Sequence, residues 1–183
     1  MRRSSAAVLL LGLLACARSG PSPARSEAAG AQADAYRATI SRDSLTYVRW
    51  NLPRLAQEAL FRRGYLNRYA LYLGLNPYYQ RGTFDADTIL DVAVQVTEIA
   101  SGKRGIAIIH GGDSTVHILG AGTPLGNGGD DFQWLWVWRV EPRTIRADVS
   151  PVGREVLYVE KPESAGGLIW WNGHDYVWTQ HGD

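Results

Sequence analysis

From about residue 90 to the end of the chain, apolar residues recur with a period of two. Val92, Val94 and Val96 alternate with Ala93, Gln95 and Thr97. Successive strand side chains point to opposite faces, so this spacing predicts β-strands rather than a long helix. Ser101-Gly102-Lys103 predicts a turn, residues 105–109 a buried strand, and Gly111-Gly112-Asp113 a second turn into residues 115–119. Residues 156–160 form a further candidate strand, and residues 168–171 and 175–179 flank Asn172-Gly173-His174. Asn-Gly is the preferred pair for a type I′ hairpin turn. Short strands joined by tight turns predict an antiparallel meander.

One helical pattern precedes the strands. Leu52, Leu55, Ala56, Ala59 and Leu60 recur at helical spacing after Asn51-Leu52-Pro53, and Gly64 follows as a stop. This predicts a helix over about 53–63 with one apolar face. Residues 68–75 fit a helix or a strand; their aromatic content and the Asn76-Pro77 stop favour a strand. The expected fold is α+β or mainly β: an antiparallel β-meander sheet with one N-terminal amphipathic helix packed on it.

Composition bounds what such a domain can do. The chain has 183 residues, 45% of them hydrophobic, and a formal net charge of +1. That length suits one globular domain. The charge balance argues against a nucleic-acid partner, which calls for a basic face. The single cysteine, Cys16, excludes an intrachain disulfide framework and a Cys-based zinc site.

The N-terminus reads as an address. Arg2-Arg3 precede ten apolar residues, 6–15, a run too short for a membrane span and of the length of a signal-peptide core. Leu13-Leu14-Ala15-Cys16 closes it. This sequence resembles the lipobox of bacterial lipoproteins. The resemblance implies that residues 1–15 are a cleaved signal peptide and that Cys16 carries the acyl chains, palmitate among them, which anchor the protein to a membrane. Two or more chains anchor stably where one does not. In that family an Asp after the cysteine resembles an inner-membrane retention signal. Ala17 stands there instead, which points to the outer membrane, on its periplasmic face, or to the cell surface.

Residues 16–38 are expected to form the lipidated cysteine and a tether. Ala, Ser, Gly and Pro fill 15 of the 22 positions after Cys16, without Leu, Ile, Val or Phe. Such a segment buries nothing and spans roughly 25 Å as a coil. The globular domain is then expected over residues 39–183.

Three stretches could carry chemistry. The first runs Gly82-Thr83-Phe84-Asp85-Ala86-Asp87-Thr88-Ile89-Leu90-Asp91-Val92-Ala93-Val94. It resembles an FG-GAP (VCBS-type) repeat, the blade motif of integrin-like β-propellers, in which an acidic loop wraps Ca²⁺. That resemblance implies Asp85, Asp87 and Asp91 as ligands, since a hard cation takes six to eight oxygens. Thr83 replaces the first acidic ligand, and Ala86 and Thr88 replace the two glycines. A single copy also cannot close a propeller. The favoured reading is therefore a turn in which Asp85 and Asp87 cap backbone N–H groups. The loop, the Gly-Asn-Gly-Gly-Asp-Asp-Phe segment at 126–132 and the C-terminal Trp-Asn-Gly hairpin together resemble small bacterial envelope proteins; that resemblance brings no activity with it.

The second stretch is Gly-rich, residues 120–131. It could cradle phosphate, but Asp130-Asp131 would repel an anion. A long structural loop or a ligand-contact loop are the two readings. The third is the aromatic stretch Trp134, Trp136 and Trp138, expected on one face of a strand along about 14 Å. Buried, this row is core. Exposed, it would stack on sugar rings or seize an apolar partner.

His110, His117, His174 and His181 show no metal-ligand spacing and are expected at the surface. Asp130, Asp131, Glu160 and Glu163 could supply paired carboxylates. Together these residues predict a membrane-anchored envelope lipoprotein that binds an envelope protein or glycan without catalysis. The alternatives are a metal- or carboxylate-dependent hydrolase of cell-wall glycan or peptide, or an inhibitor of such an enzyme.

Overall fold

A computed structural model describes Thr46, residues 51–62, 64–143 and 153–181. The signal-like run, Cys16 and the tether lie outside these described residues. Helix α1 (Arg54–Arg62) ends at Gly64, whose φ of +73° is the left-handed conformation that glycine adopts without strain. A 3₁₀ turn over Tyr65–Asn67 leads into a short strand, β1 (Tyr69–Leu71). The strand reading of that ambiguous stretch holds for three residues.

Five strands make the first antiparallel sheet: β1, β2 (Tyr79–Gly82), β3 (Asp91–Glu98), β4 (Arg104–Ile109) and β5 (Val116–Gly120). Both β1 and β2 pair with β3, the first against Val96–Glu98 and the second against Asp91–Val94. The predicted meander continues as a separate sheet: β6 (Val137–Pro142), β7 (Glu155–Lys161), β8 (Ala165–Trp171) and β9 (Tyr176–His181), in sequence order. The fold is mainly β, with two antiparallel sheets and one short described helix. The expectation of a single sheet gives way to two because β3 and β4 are apolar on both faces.

The period of two explains the layering. Val92, Val94 and Val96 pack with Leu52 and the helix residues Ala56, Ala59 and Leu60. The opposite face, Ala93, Ile106 and Ile108, packs on Leu157, Val159 and Ile169 of the second sheet. Small Ala93 and buried Gln95 lie on the inter-sheet side of β3. Polar links fix the two sheets further. The Trp138 indole donates to the Pro77 carbonyl at 2.6 Å, and the Thr83 amide donates to Glu155 Oε2 at 2.7 Å.

The C-terminal hairpin corrects the expected turn. Trp171 pairs with Tyr176, and the Asn172 amide donates to the Asp175 carbonyl, so Gly173 and His174 are the central residues. Gly173 has φ +108°, and His174 is not among the residues with positive φ. Type I′ needs positive φ at both central positions, so this is not that turn. Asn172 instead stands first, and its Oδ1 accepts from the amides of His174 and Asp175.

Candidate functional site

The acidic loop turns its carboxylates onto its own backbone. Asp91 is fully buried at the start of β3. Its Oδ2 accepts from the Phe84 and Asp85 amides, and its Oδ1 from the Gly111 amide, at 2.7, 3.2 and 2.8 Å. Asp85 Oδ1 accepts from the Asp87 amide, and Asp87 Oδ1 from the Ile89 amide. Burial raises the Asp91 carboxyl above its ordinary range, while the Gly111 and Phe84 amides pull it back. Burial likewise raises Asp85, opposed by the Asp87 amide and by His110. The loop closes without positive φ at Ala86 or Thr88, so the missing glycines do not strain it. Asp85, Asp87 and Asp91 nevertheless offer ligand atoms within 4.8 Å of one another, a donor set that suits a hard cation.

Asp85 also begins a buried polar chain. Its Oδ2 lies 3.3 Å from His110 Nδ1, and His110 Nε2 lies 2.8 Å from the Tyr176 hydroxyl. Asp85 as acceptor places the imidazole proton on Nδ1, and Nε2 then accepts the Tyr176 O–H. Burial holds the Tyr176 phenol far above its ordinary pKa, so it stays a donor. Both ring nitrogens of His110 are thus occupied, and the chain ties the β8–β9 hairpin to the end of β4. His117 packs beside it, 4.5 Å from the His110 ring and 5.0 Å from Trp171 between centroids. Burial and the neighbouring His110 lower its pKa.

These positions correct the surface expectation for the histidines. His110 is buried and His117 half-buried, although His174 is exposed. Sequence reasoning missed His110 because it follows the last residue of β4. Its partners come from residue 85 in one loop and residue 176 in the far hairpin. One signal was present: His110 directly continues the apolar run of residues 106–109.

An open cleft of about 670 Å³ adjoins this cluster, with Tyr65, Arg68, Tyr69, His117, Asp175 and Tyr176 in its wall. Arg68 is also paired with Glu98 at 2.9 Å. The wall is mixed aromatic and charged, the chemistry of a polar-ligand cleft.

The expected row of tryptophans does not form. Strand β6 begins at Val137, so Trp134 and Trp136 precede it and lack a strand's alternation. Trp138 is core at 3% exposure, while Trp136 stands out at 62%. Phe132 anchors in the core, and the Leu135 amide donates to its carbonyl, curling the chain just before the strand. Trp134 turns back instead, donating its indole N–H to the Gly128 carbonyl at 3.1 Å. It meets Trp178 of β9 edge to face, 5.8 Å between rings. A groove of about 290 Å³ opens there, lined by these two indoles with Asn127, Lys161, Ser164 and Gln180.

Asp130 and Asp131 do not converge with the acidic loop. Asp130 pairs with Lys103, and Asp131 Oδ1 accepts from the Arg104 amide at the start of β4. Asp91 accepts from Gly111 beyond the other end. The six residues of β4 lie between the two, roughly 20 Å at the strand rise.

Fold and site together define an antiparallel two-sheet β protein with aromatic-walled clefts at its surface. No family model, no curated protein and no solved structure matches this chain. The lipobox and FG-GAP resemblances therefore rest on the residues that carry them.

Proposed function

We propose that this protein is a lipid-anchored component of the cell envelope, at the outer membrane or the cell surface, whose globular domain binds an envelope protein or glycan. The anchor rests on one observation: the only cysteine of the chain stands at the end of its only signal-like apolar run. The binding reading draws support from two open clefts walled by aromatic and polar side chains. Lipid attachment through Cys16 and a coil of roughly 25 Å would let the domain sample the space near the membrane.

The test is fractionation of cells labelled with an alkynyl fatty acid. The wild type should sediment with membranes and carry label. Cys16→Ser should lose the label and, once its signal is removed, become soluble. A signal-cleaved Cys16→Ser protein still bound to membranes would defeat the anchor.

A second reading, a metal-dependent envelope hydrolase, has one observation in its favour, the three clustered ligand atoms of Asp85, Asp87 and Asp91. It requires clearing of purified cell-wall sacculi in the presence of a divalent cation, lost in Asp87→Ala.

A further inference from the structure

The Gly-rich loop, the tryptophans and the C-terminal hairpin have no shared role until they meet at the Trp134–Trp178 groove. Three glycines let the Trp178 ring lie there. A Cβ at Gly167 would fall 2.1 Å from Trp178 Cζ2, one at Gly126 2.8 Å from its Cβ, and one at Gly128 3.0 Å from Cζ3. Any side chain at Gly167 would therefore displace the indole. The adjoining wall is Trp134, in edge-to-face contact with Trp178 and held through its N–H to the Gly128 carbonyl. Two hydrogen bonds thus hold both indoles, since Trp178 donates to Gln180 Oε1 at 3.2 Å.

The rim is polar. It offers two amides, Asn127 and Gln180, a hydroxyl, Ser164, and an ammonium, Lys161. Ser164 follows Glu163, whose φ of +58° is a left-handed conformation uncommon for that residue. This turn at the β7–β8 corner sets Ser164 and Lys161 on the groove.

We infer that the Trp134–Trp178 groove binds a pyranose residue of a neutral saccharide. The inference rests on the binding reading above and names its ligand class. An indole face carries negative charge density, and the C–H face of a sugar ring presents the complementary positive edge. Asn, Gln and Ser side chains both donate and accept, as sugar hydroxyls do. The volume lies at the small end of ligand sites, the size of one or two sugar rings rather than a folded partner. Lys161 decides against the competing occupant. A pair of indoles also suits a quaternary ammonium, but the Lys161 ammonium at the rim disfavours one.

The experiment uses the full-length protein in detergent, titrated with chitotetraose, cellotetraose and maltotetraose, and with choline chloride. Binding is read by intrinsic tryptophan fluorescence and calorimetry. At least one sugar should bind saturably and choline should not. Gln180→Ala, an exposed change, should weaken that sugar by up to about tenfold, the loss of one or two hydrogen bonds. Trp134→Ala should abolish it, with thermal melting showing that the variant is folded. If all three sugars fail, if choline binds instead, or if Gln180→Ala and Trp134→Ala bind as the wild type does, the assignment is overturned. A protein that fractionates with membranes through Cys16 but ignores all three sugars keeps its anchor and loses only this ligand.

Discussion

Two irregular loops flank β4, and they treat polarity in opposite ways. The acidic loop at its C-terminal end folds its carboxylates inward. Five of the six carboxylate oxygens of Asp85, Asp87 and Asp91 meet backbone amides or His110. The Gly-rich loop at the N-terminal end has few side chains of its own. It gives space to an indole from β9 and a carbonyl to an indole from its own chain. The charged loop thus spends most of its carboxylate oxygens on its own backbone and on His110. The loop of glycines, with little chemistry in its sequence, borders the groove.

The largest expected effect is on the acidic loop. Asp91→Ala strips the partner from three backbone amides next to the core. It should destabilise by about 3 kcal/mol or more in equilibrium urea unfolding, because buried donors left unmet carry their full desolvation cost. A loss below about 1 kcal/mol would mean that the loop is not held by this carboxylate, and the contrast between the loops would fail.

Next comes the glycine side of the comparison. Valine favours strands, so Gly167→Val in β8 would be tolerated by backbone preference alone. The displaced Trp178 ring should make it destabilising by about 1–3 kcal/mol, as overpacking does, and shift the tryptophan emission. Unchanged stability and emission would show that the ring has room to move.

Asp87→Ala should cost about 1 kcal/mol, the scale of one local cap. The cost should be the same in about 1 mM CaCl₂, the range of extracellular calcium modules, as in EDTA. A rise of many degrees in Tm on adding Ca²⁺, abolished in Asp87→Ala, would turn the acidic loop into a genuine cation site.

The smallest effect is a pH slope. His117 has its pKa lowered by burial and by His110, against the opposing pull of Asp113 and Asp175. The unfolded chain then binds more protons than the folded one below about pH 6.5. Stability should therefore rise with pH between about 5 and 7 and be lost again on acidification. His117→Gln should flatten that rise. An identical slope in wild type and variant would show that His117 does not titrate across folding.

The sequence alone carried the local structure. Period-two alternation at Val92–Val96 specified β3, because a strand's side chains must alternate. The spacing of Leu52, Ala56, Ala59 and Leu60 specified the helix, and Asp85 and Asp87 read correctly as caps for nearby amides. These depend on neighbours a few residues away. Trp134 misled, since Trp134, Trp136 and Trp138 alternate as a strand would, yet anchoring of Phe132 and the Trp134 bond to Gly128 delay the strand to Val137. What only the tertiary structure decided was which faces meet. Splitting of the meander into two sheets follows from β3 and β4 being apolar on both sides. The Asp85–His110–Tyr176 chain joins residues up to 91 positions apart, and the Trp134–Trp178 groove joins residues 44 apart. Local pattern holds no information on such pairs. Their geometry is set by the packing of one sheet on the other, where burial and shape outweigh the preferences of any single segment.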